Sequence, residues 1–317
     1  MKFSSQSITE KDLSIVRLTD HSTQTMIDIL PGYGAILHAF TIQTANGPFN
    51  IIDNYPDKKA VESQLSTSFK SAKLSPFVCR ISDGTYQWED KRYEWGTKFM
   101  DGSAIHGILY NKPFNVDDQY SNDEQAAVRL KYQYKKEDAG YPFNYSCEIL
   151  YILHPGNMLQ IETTVHNLED ISIPIADGWH PYFTLGGKIN DYQLQFASDT
   201  LLEFDDKLVP TGKFLYDPSF IEPNQIGDRF LDNCFQLQLQ EAVPVCVMHN
   251  SANQLTLLLY TNSNYPYLQL FTPDHRNSIA IENLSGAPNC FNNGMGLKIL
   301  LPRRTETFNV WYQLTLG

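Results

Sequence analysis

Apolar and polar residues alternate with a period of two along most of this chain. In AVRLKYQYK, Val128, Leu130, Tyr132 and Tyr134 share one face, while Arg129, Lys131, Gln133 and Lys135 share the other. LQIETTVHN repeats the habit, with Leu159, Ile161, Thr163 and Val165 set against Gln160, Glu162, Thr164 and His166. QLTLLLY and TFNVWYQLTL continue it with β-branched and aromatic residues, the types that suit a pleated, half-buried surface. Turn-forming clusters separate the runs: SDGTY, HPGNM, PTGK, SGAPN and LPRR. Many strands at short spacing predict an all-β sandwich or barrel. Helical periodicity is scarce. DKKAVESQLSTSFK, residues 57–70, places Val61, Leu65 and Phe69 four apart and predicts one short surface helix. No linker, low-complexity tract or repeat divides the chain. Residues 1–317 are therefore expected to form one large antiparallel β domain of two packed sheets.

The 317 residues are 42% hydrophobic and 13% aromatic, ample for a large core. The formal net charge of −12, spread along the chain, speaks against nucleic acid and anionic membrane as partners. It says little about a small neutral ligand. Residues 1–18, MKFSSQSITEKDLSIVRL, contain no secretory apolar run, and no stretch reaches the length of a membrane span. Cys79, Cys147, Cys234, Cys246 and Cys290 are scattered and never in CxxC spacing. They are expected to be free, mostly buried thiols of a reducing compartment, which makes a cytoplasmic location the default.

A few polar residues stand out against this background. DGWHPYFTLGG, residues 177–187, sets His180 between Trp179 and Pro181. Histidine is the side chain best suited to moving protons near neutral pH. The proline stiffens the chain and predicts that His180 sits where a strand runs into a loop. A packed strand-end histidine bonded to backbone would read the same way. In SIAIENLSGAPN, residues 278–289, the apolar strand Ile279 to Ile281 runs into Glu282. Desolvation at such a strand end would raise a carboxyl's pKa toward values useful for a general base, while a rim glutamate in an ion pair is the plainer alternative. Arg80 in SPFVCRISDG, His106 in SAIHGILYNKPF and Asp232 in RFLDNCF each lie inside or just beyond an apolar stretch, and each needs a partner if buried. Trp179, Tyr182, Phe183, Tyr86, Trp88 and Trp95 could cover the C–H side of a pyranose, although each alone is more readily a core residue. No two histidines stand at metal-ligand spacing, and neither a glycine-rich phosphate loop nor a GxSxG elbow occurs. No metal and no cofactor are expected.

GYPFNYSCEILYIL, LQIETTVHNLEDISIPIADGWHPYFTLGG and LQLFTPDHRNSIAIENLSGAPN together resemble the aldose 1-epimerases, the galactose mutarotase family. FVCRISDGTYQWEDKRYEW and IHGILYNKPF resemble that family's arginine segment and first histidine segment. The likeness runs from about residue 30 to the C-terminus, and HPYF followed by a late strand-borne glutamate is its most specific part. It implies a galactose mutarotase-like β-supersandwich with a sugar bound in an open cleft on one face. It implies His180 as general acid, Glu282 as general base, and Arg80, His106 and Asp232 as ligand-binding residues. The implied reaction interconverts the α and β anomers of a free aldohexose, such as galactose or glucose, by opening its ring. A monomer or homodimer is expected.

Three positions depart from the common pattern. Many members have two glycines after the first histidine, where this chain reads His106-Gly107-Ile108. Asn283 stands where a proline often follows the base, and Cys79 where an asparagine often precedes the arginine. These changes leave the acid–base pair intact and bear on which sugar is used. Two rival readings stay open: a mutarotase of phosphorylated hexoses, which needs cations at the cleft mouth, and a catalytically silent carbohydrate-binding protein. By analogy with glycosidase carboxylates, His180 and Glu282 are expected to face each other across a pyranose, about 5–8 Å apart.

Overall fold

A computed structural model describes residues 1–317. The chain forms antiparallel sheets with little helix, as its period-two patterning predicts. Residues 3–50 supply a five-stranded sheet whose neighbours follow chain order, from Phe3–Glu10 to Gly47–Asn50. A nine-stranded sheet takes its centre from Tyr145–His154, Met158–Asn167 and Thr305–Leu316. The alternation read from AVRLKYQYK holds there: Val128, Leu130 and Tyr134 are buried, while Lys131 is exposed.

The eight-stranded sheet carries three of the candidate residues, Asp232, Glu282 and His180. Its order is Pro210–Tyr216, Thr200–Phe204, Asp232–Gln236, Tyr267–Phe271, Ile279–Leu284, Gly178–His180, Ala72–Leu74, with Tyr182–Phe183 pairing on Ile279–Leu284 as well. One face packs on the nine-stranded sheet. Trp179 lies 6.0 Å from Tyr151, Phe183 5.2 Å from Tyr312, and Phe235 4.6 Å from Phe196, ring centre to ring centre. Each such buried side chain contributes about 1.5–3 kcal/mol of apolar burial. The same interior holds one ion pair. Lys73 Nζ lies 2.5 Å from Asp177 Oδ2, and both side chains are fully buried. Tyr265 Oη donates to Asp177 Oδ1 at 2.6 Å, and the lysine ammonium sits 4.7 Å from the Trp179 ring centre. A buried pair persists only when its remaining hydrogen-bonding capacity is used in this way.

The expected short helix spans Lys58–Ser68. Asp57 caps it, accepting from the Ala60 N–H at 2.9 Å, and Ala60, Val61 and Leu65 face inward. Phe69 ends it in the left-handed region, at φ 48°, which turns the chain toward the free face of the eight-stranded sheet. The five cysteines are free and buried. No helix is long and apolar enough to cross a membrane.

Candidate active site

Strand register places the acid–base candidates side by side. Gly178 pairs with Leu284 and Tyr182 with Ala280, so His180 and Glu282 stand opposite each other between them. Glu282 pairs in turn with Gln269, and Gln269 with Cys234. Directly opposed residues project from the same face, so this row points away from the sandwich interior. The neighbouring row on that face carries Tyr182, Ala280, Phe271 and Asp232.

Two expectations about local structure need correction. The strand Gly178–His180 ends before Pro181 as expected, but no loop follows: Tyr182–Phe183 resumes the same register, and the Pro181 carbonyl accepts from the Ile281 N–H at 3.2 Å. Proline costs a donor here but leaves its acceptor usable. Glu282 lies within the strand Ile279–Leu284 rather than at its end.

The two rows floor a cleft of about 220 Å³. That is smaller than the usual 300–1,000 Å³ of pockets for drug-sized molecules. One wall comes from a two-residue ladder in which Ile105 opposes Arg80. His106 follows, its N–H donating to the Cys79 carbonyl at 2.7 Å. Gly107, at φ 73°, continues where a Cβ would lie 2.2 Å from the Ser75 carbonyl oxygen. Only glycine fits that approach. Phe69, Phe204, Leu208 and Pro288 complete the rim. His180, Glu282, Arg80, His106 and Asp232, drawn from five separate segments, all line this one cleft.

His180 Nε2 lies 3.3 Å from Glu282 Oε1. The expected separation of about 5–8 Å is not what the fold provides. Residues directly opposed on adjacent antiparallel strands have Cβ atoms only about 4.5–5.5 Å apart, and nothing in the register allows a ring between them. The His180 ring stacks on Tyr182 at 5.0 Å and meets the edge of His106 at 4.9 Å, while His106 packs on Phe69 at 4.6 Å. Arg80 Nη1 reaches Asp101 Oδ2 at 3.0 Å across the mouth. Gln269 Nε2 donates to Asp232 Oδ1 at 2.8 Å. Glu282 Oε2, Gln269 Oε1, His180 Nδ1 and His106 Nδ1 are buried without a hydrogen-bond partner in the protein.

Burial governs the proton affinities. Glu282, 2% exposed, is pushed well above the usual carboxyl range by desolvation, and the nearby Asp232 charge adds to this. Desolvation drives His180 down to about 4. His106 falls well below the usual histidine value through burial, with His180 and Arg80 adding repulsion. Burial raises Asp232, opposed by Arg80 and the Gln269 amide. The floor pair therefore favours its uncharged forms, with one proton to share.

Of the six aromatics read from sequence as sugar platforms, Tyr182 alone lines the cleft. Trp179 and Phe183 alternate to the interior side of the sheet. Tyr86 and Trp95 are buried in a cluster with Phe77 and Phe291, and Trp88 packs on the core. The cleft takes Phe69, Phe204 and Phe271 instead. Gln269 was also missed, although a lone amide in the apolar strand YLQLF carries the same need for a partner that marked Asp232. Among the three departures from the family pattern only Cys79 lines the cleft; Ile108 packs against the core, and Asn283 turns inward to accept from Tyr312 Oη at 3.0 Å. No sequence spacing marked a metal set, yet one ligand atom each from His106, His180 and Glu282 lie within 4.8 Å of one another.

A family model described as aldose 1-epimerase matches residues 16–312. An uncharacterized protein, YihR, from Escherichia coli K12 is 24% identical over 249 residues, covering 76% of this chain and 78% of its own. A galactose mutarotase-like protein from Clostridium acetobutylicum superposes with a TM-score of 0.87 at 17% identity, over 99% of this chain and 98% of that one. A galactose 1-epimerase from Lactobacillus acidophilus NCFM superposes with a TM-score of 0.82 at 20% identity, over 100% and 99% of the two chains.

Proposed function

The chain belongs to the aldose 1-epimerase family, and from that premise we propose that it interconverts the α and β anomers of a free aldohexose by acid–base ring opening. The observation that carries this reading is the 3.3 Å contact between His180 Nε2 and Glu282 Oε1 on the cleft floor. O1 and O5 of a pyranose are bonded to the same carbon. Two groups this close can address both oxygens at once from one side of the ring.

Glu282, as carboxylate, takes the proton of the C1 hydroxyl while His180, as imidazolium, gives one to the ring oxygen. The C1–O5 bond breaks and C1 becomes an aldehyde carbon. The pair is then protonated glutamate and neutral imidazole, the uncharged state that burial favours. After rotation about C1–C2 the roles reverse and the ring closes on the other face. One proton serves the whole cycle, and none need come from solvent. Such proton transfers supply about 10²–10⁴-fold each, with orientation adding to that.

The remaining cleft residues support a polyhydroxylated ligand. Asp232, Arg80, His106 and Gln269 would meet ring hydroxyls, and the buried unpartnered atoms of Gln269 and Glu282 supply acceptors a sugar can satisfy. Tyr182 and Phe271 offer apolar surface for C–H groups. A cytoplasmic location belongs to the same reading, because five free thiols persist in a reducing compartment.

Polarimetry of freshly dissolved α-D-galactose, α-D-glucose and glucose 6-phosphate with purified protein tests this function. Acceleration is expected with at least one free aldose. Acceleration confined to the phosphate ester would move the substrate class. Failure with all three would favour the reading of a catalytically silent carbohydrate-binding protein.

A further inference from the structure

We propose that His106, His180 and Glu282 also form a labile binding site for a borderline-soft divalent cation, with Zn²⁺ the best match, which occupies the cleft in competition with sugar. Two imidazoles and one carboxylate are a donor set that Zn²⁺ favours, with further coordination positions left open. Hard cations such as Mg²⁺ and Ca²⁺ want more oxygen ligands than this set supplies.

The geometry needs little adjustment. Tetrahedral Zn²⁺ with bonds of about 2.0–2.2 Å holds its donors roughly 3.3–3.6 Å apart. His180 Nε2 and Glu282 Oε1 already stand at 3.3 Å, and one ligand atom from each of the three residues lies within 4.8 Å of the other two. A small swing of the His106 side chain completes the set. Beside it the one guanidinium, Arg80, is paired with Asp101, and the Asp232 carboxyl lines the same cleft. The local field therefore admits a cation.

The same structure limits the affinity. His106 Nδ1 and His180 Nδ1 have no partner in the protein. Metal-binding imidazoles are normally held by an acceptor on the second nitrogen, and losing it costs about 10–100-fold in affinity. The cation is thus an exchangeable inhibitor rather than a resident cofactor. While bound it ties up both His180 and Glu282, so neither can move a proton.

Isothermal titration of the full-length protein with ZnCl2, together with visible absorption on adding CoCl2, reads binding without any assay of turnover. The site therefore stands or falls separately from the mutarotase reading, although both use the same residues. One tightest equivalent of Zn²⁺ is expected, in the micromolar range, with Co²⁺ ligand-field bands and no thiolate charge-transfer band. His106→Gln and Glu282→Gln, each checked for folding by circular dichroism, should weaken that equivalent at least tenfold. His275→Ala, a surface histidine outside the cleft, should leave it unchanged. Where polarimetry detects turnover, Zn²⁺ should inhibit it, excess sugar should relieve the inhibition, and EDTA should abolish it. Absence of binding at millimolar Zn²⁺, a thiolate band, or full affinity in both cleft variants would overturn the proposal.

Discussion

Glu282→Gln separates two consequences of one buried carboxyl, because glutamine keeps its shape and loses its proton chemistry. In turnover, removing one member of an acid–base pair costs about 10²–10⁴-fold, or roughly 3–5 kcal/mol of barrier. In stability the change runs the other way. The folded state holds the Glu282 proton well above the usual range, while the unfolded chain releases it above about pH 4.3. Over that window the unfolded chain binds fewer protons, and stability falls by about 1.4 kcal/mol per pH unit until the folded carboxyl ionises. His180 acts in the opposite sense. Pushed down to about 4, it stays neutral in the fold while the unfolded imidazole is protonated below about pH 6.5, so its contribution rises with pH across that interval. In the parent the glutamate slope offsets that of His180 up to about pH 6.5, while His106, also held neutral by burial, adds a second rising one; beyond it, of these three groups, only the glutamate slope remains. The variant keeps the two histidine slopes: their contribution climbs to about pH 6.5 and is flat above. Its advantage over the parent therefore grows with pH. Urea unfolding from about pH 5 to about pH 8, beside polarimetry on galactose and glucose, measures both effects. Turnover within a few-fold of the parent would remove Glu282 from the chemistry. Parallel stability curves would show that Glu282 is ionised in the fold and would defeat the burial argument.

The pH dependence of kcat/KM should be a broad bell, with its acid limb near 4, where His180 takes a second proton into the pair, and its alkaline limb well above the usual glutamate range, where Glu282 loses the shared one. An acid limb near the ordinary histidine value of about 6.5 would show an imidazole titrating as if in water. Asp232→Asn removes a charged acceptor worth about 1.5–3 kcal/mol, so KM should rise roughly 10–150-fold, with a smaller fall in kcat. Unchanged constants on both galactose and glucose would return Asp232 to the scaffold. Gly107→Ala forces a Cβ to within 2.2 Å of the Ser75 carbonyl oxygen at φ 73°. It should cost about 2 kcal/mol or more of stability and weaken sugar binding as His106 moves; an unaltered denaturation midpoint would refute that strain.

Local pattern determined much of this protein. Period two in AVRLKYQYK and LQIETTVHN made strands, because alternate side chains must reach opposite faces of a pleat and only one face met the core. The spacing of Val61 and Leu65 marked the helix, although the stripe it forms is buried against Leu13, Ile15 and Leu30 of distant strands. The candidate residues were legible for a related reason. His180, Glu282, Arg80, His106 and Asp232 are polar groups embedded in apolar stretches, a costly placement that marks each without a structure. Register was not legible. Alternation says that His180 and Trp179 face opposite ways, but not which of them turns inward, so Trp179 looked as eligible for the cleft as Tyr182. That choice belongs to the sandwich, where Trp179 fills space beside Tyr151 and the Lys73–Asp177 pair. Gln269 and Phe271 enter the site only because Tyr267–Phe271 pairs with Ile279–Leu284 in one register. The 3.3 Å approach of His180 to Glu282 joins strands about a hundred residues apart in the chain. Such contacts are set by long-range packing, which no local window of residues encodes.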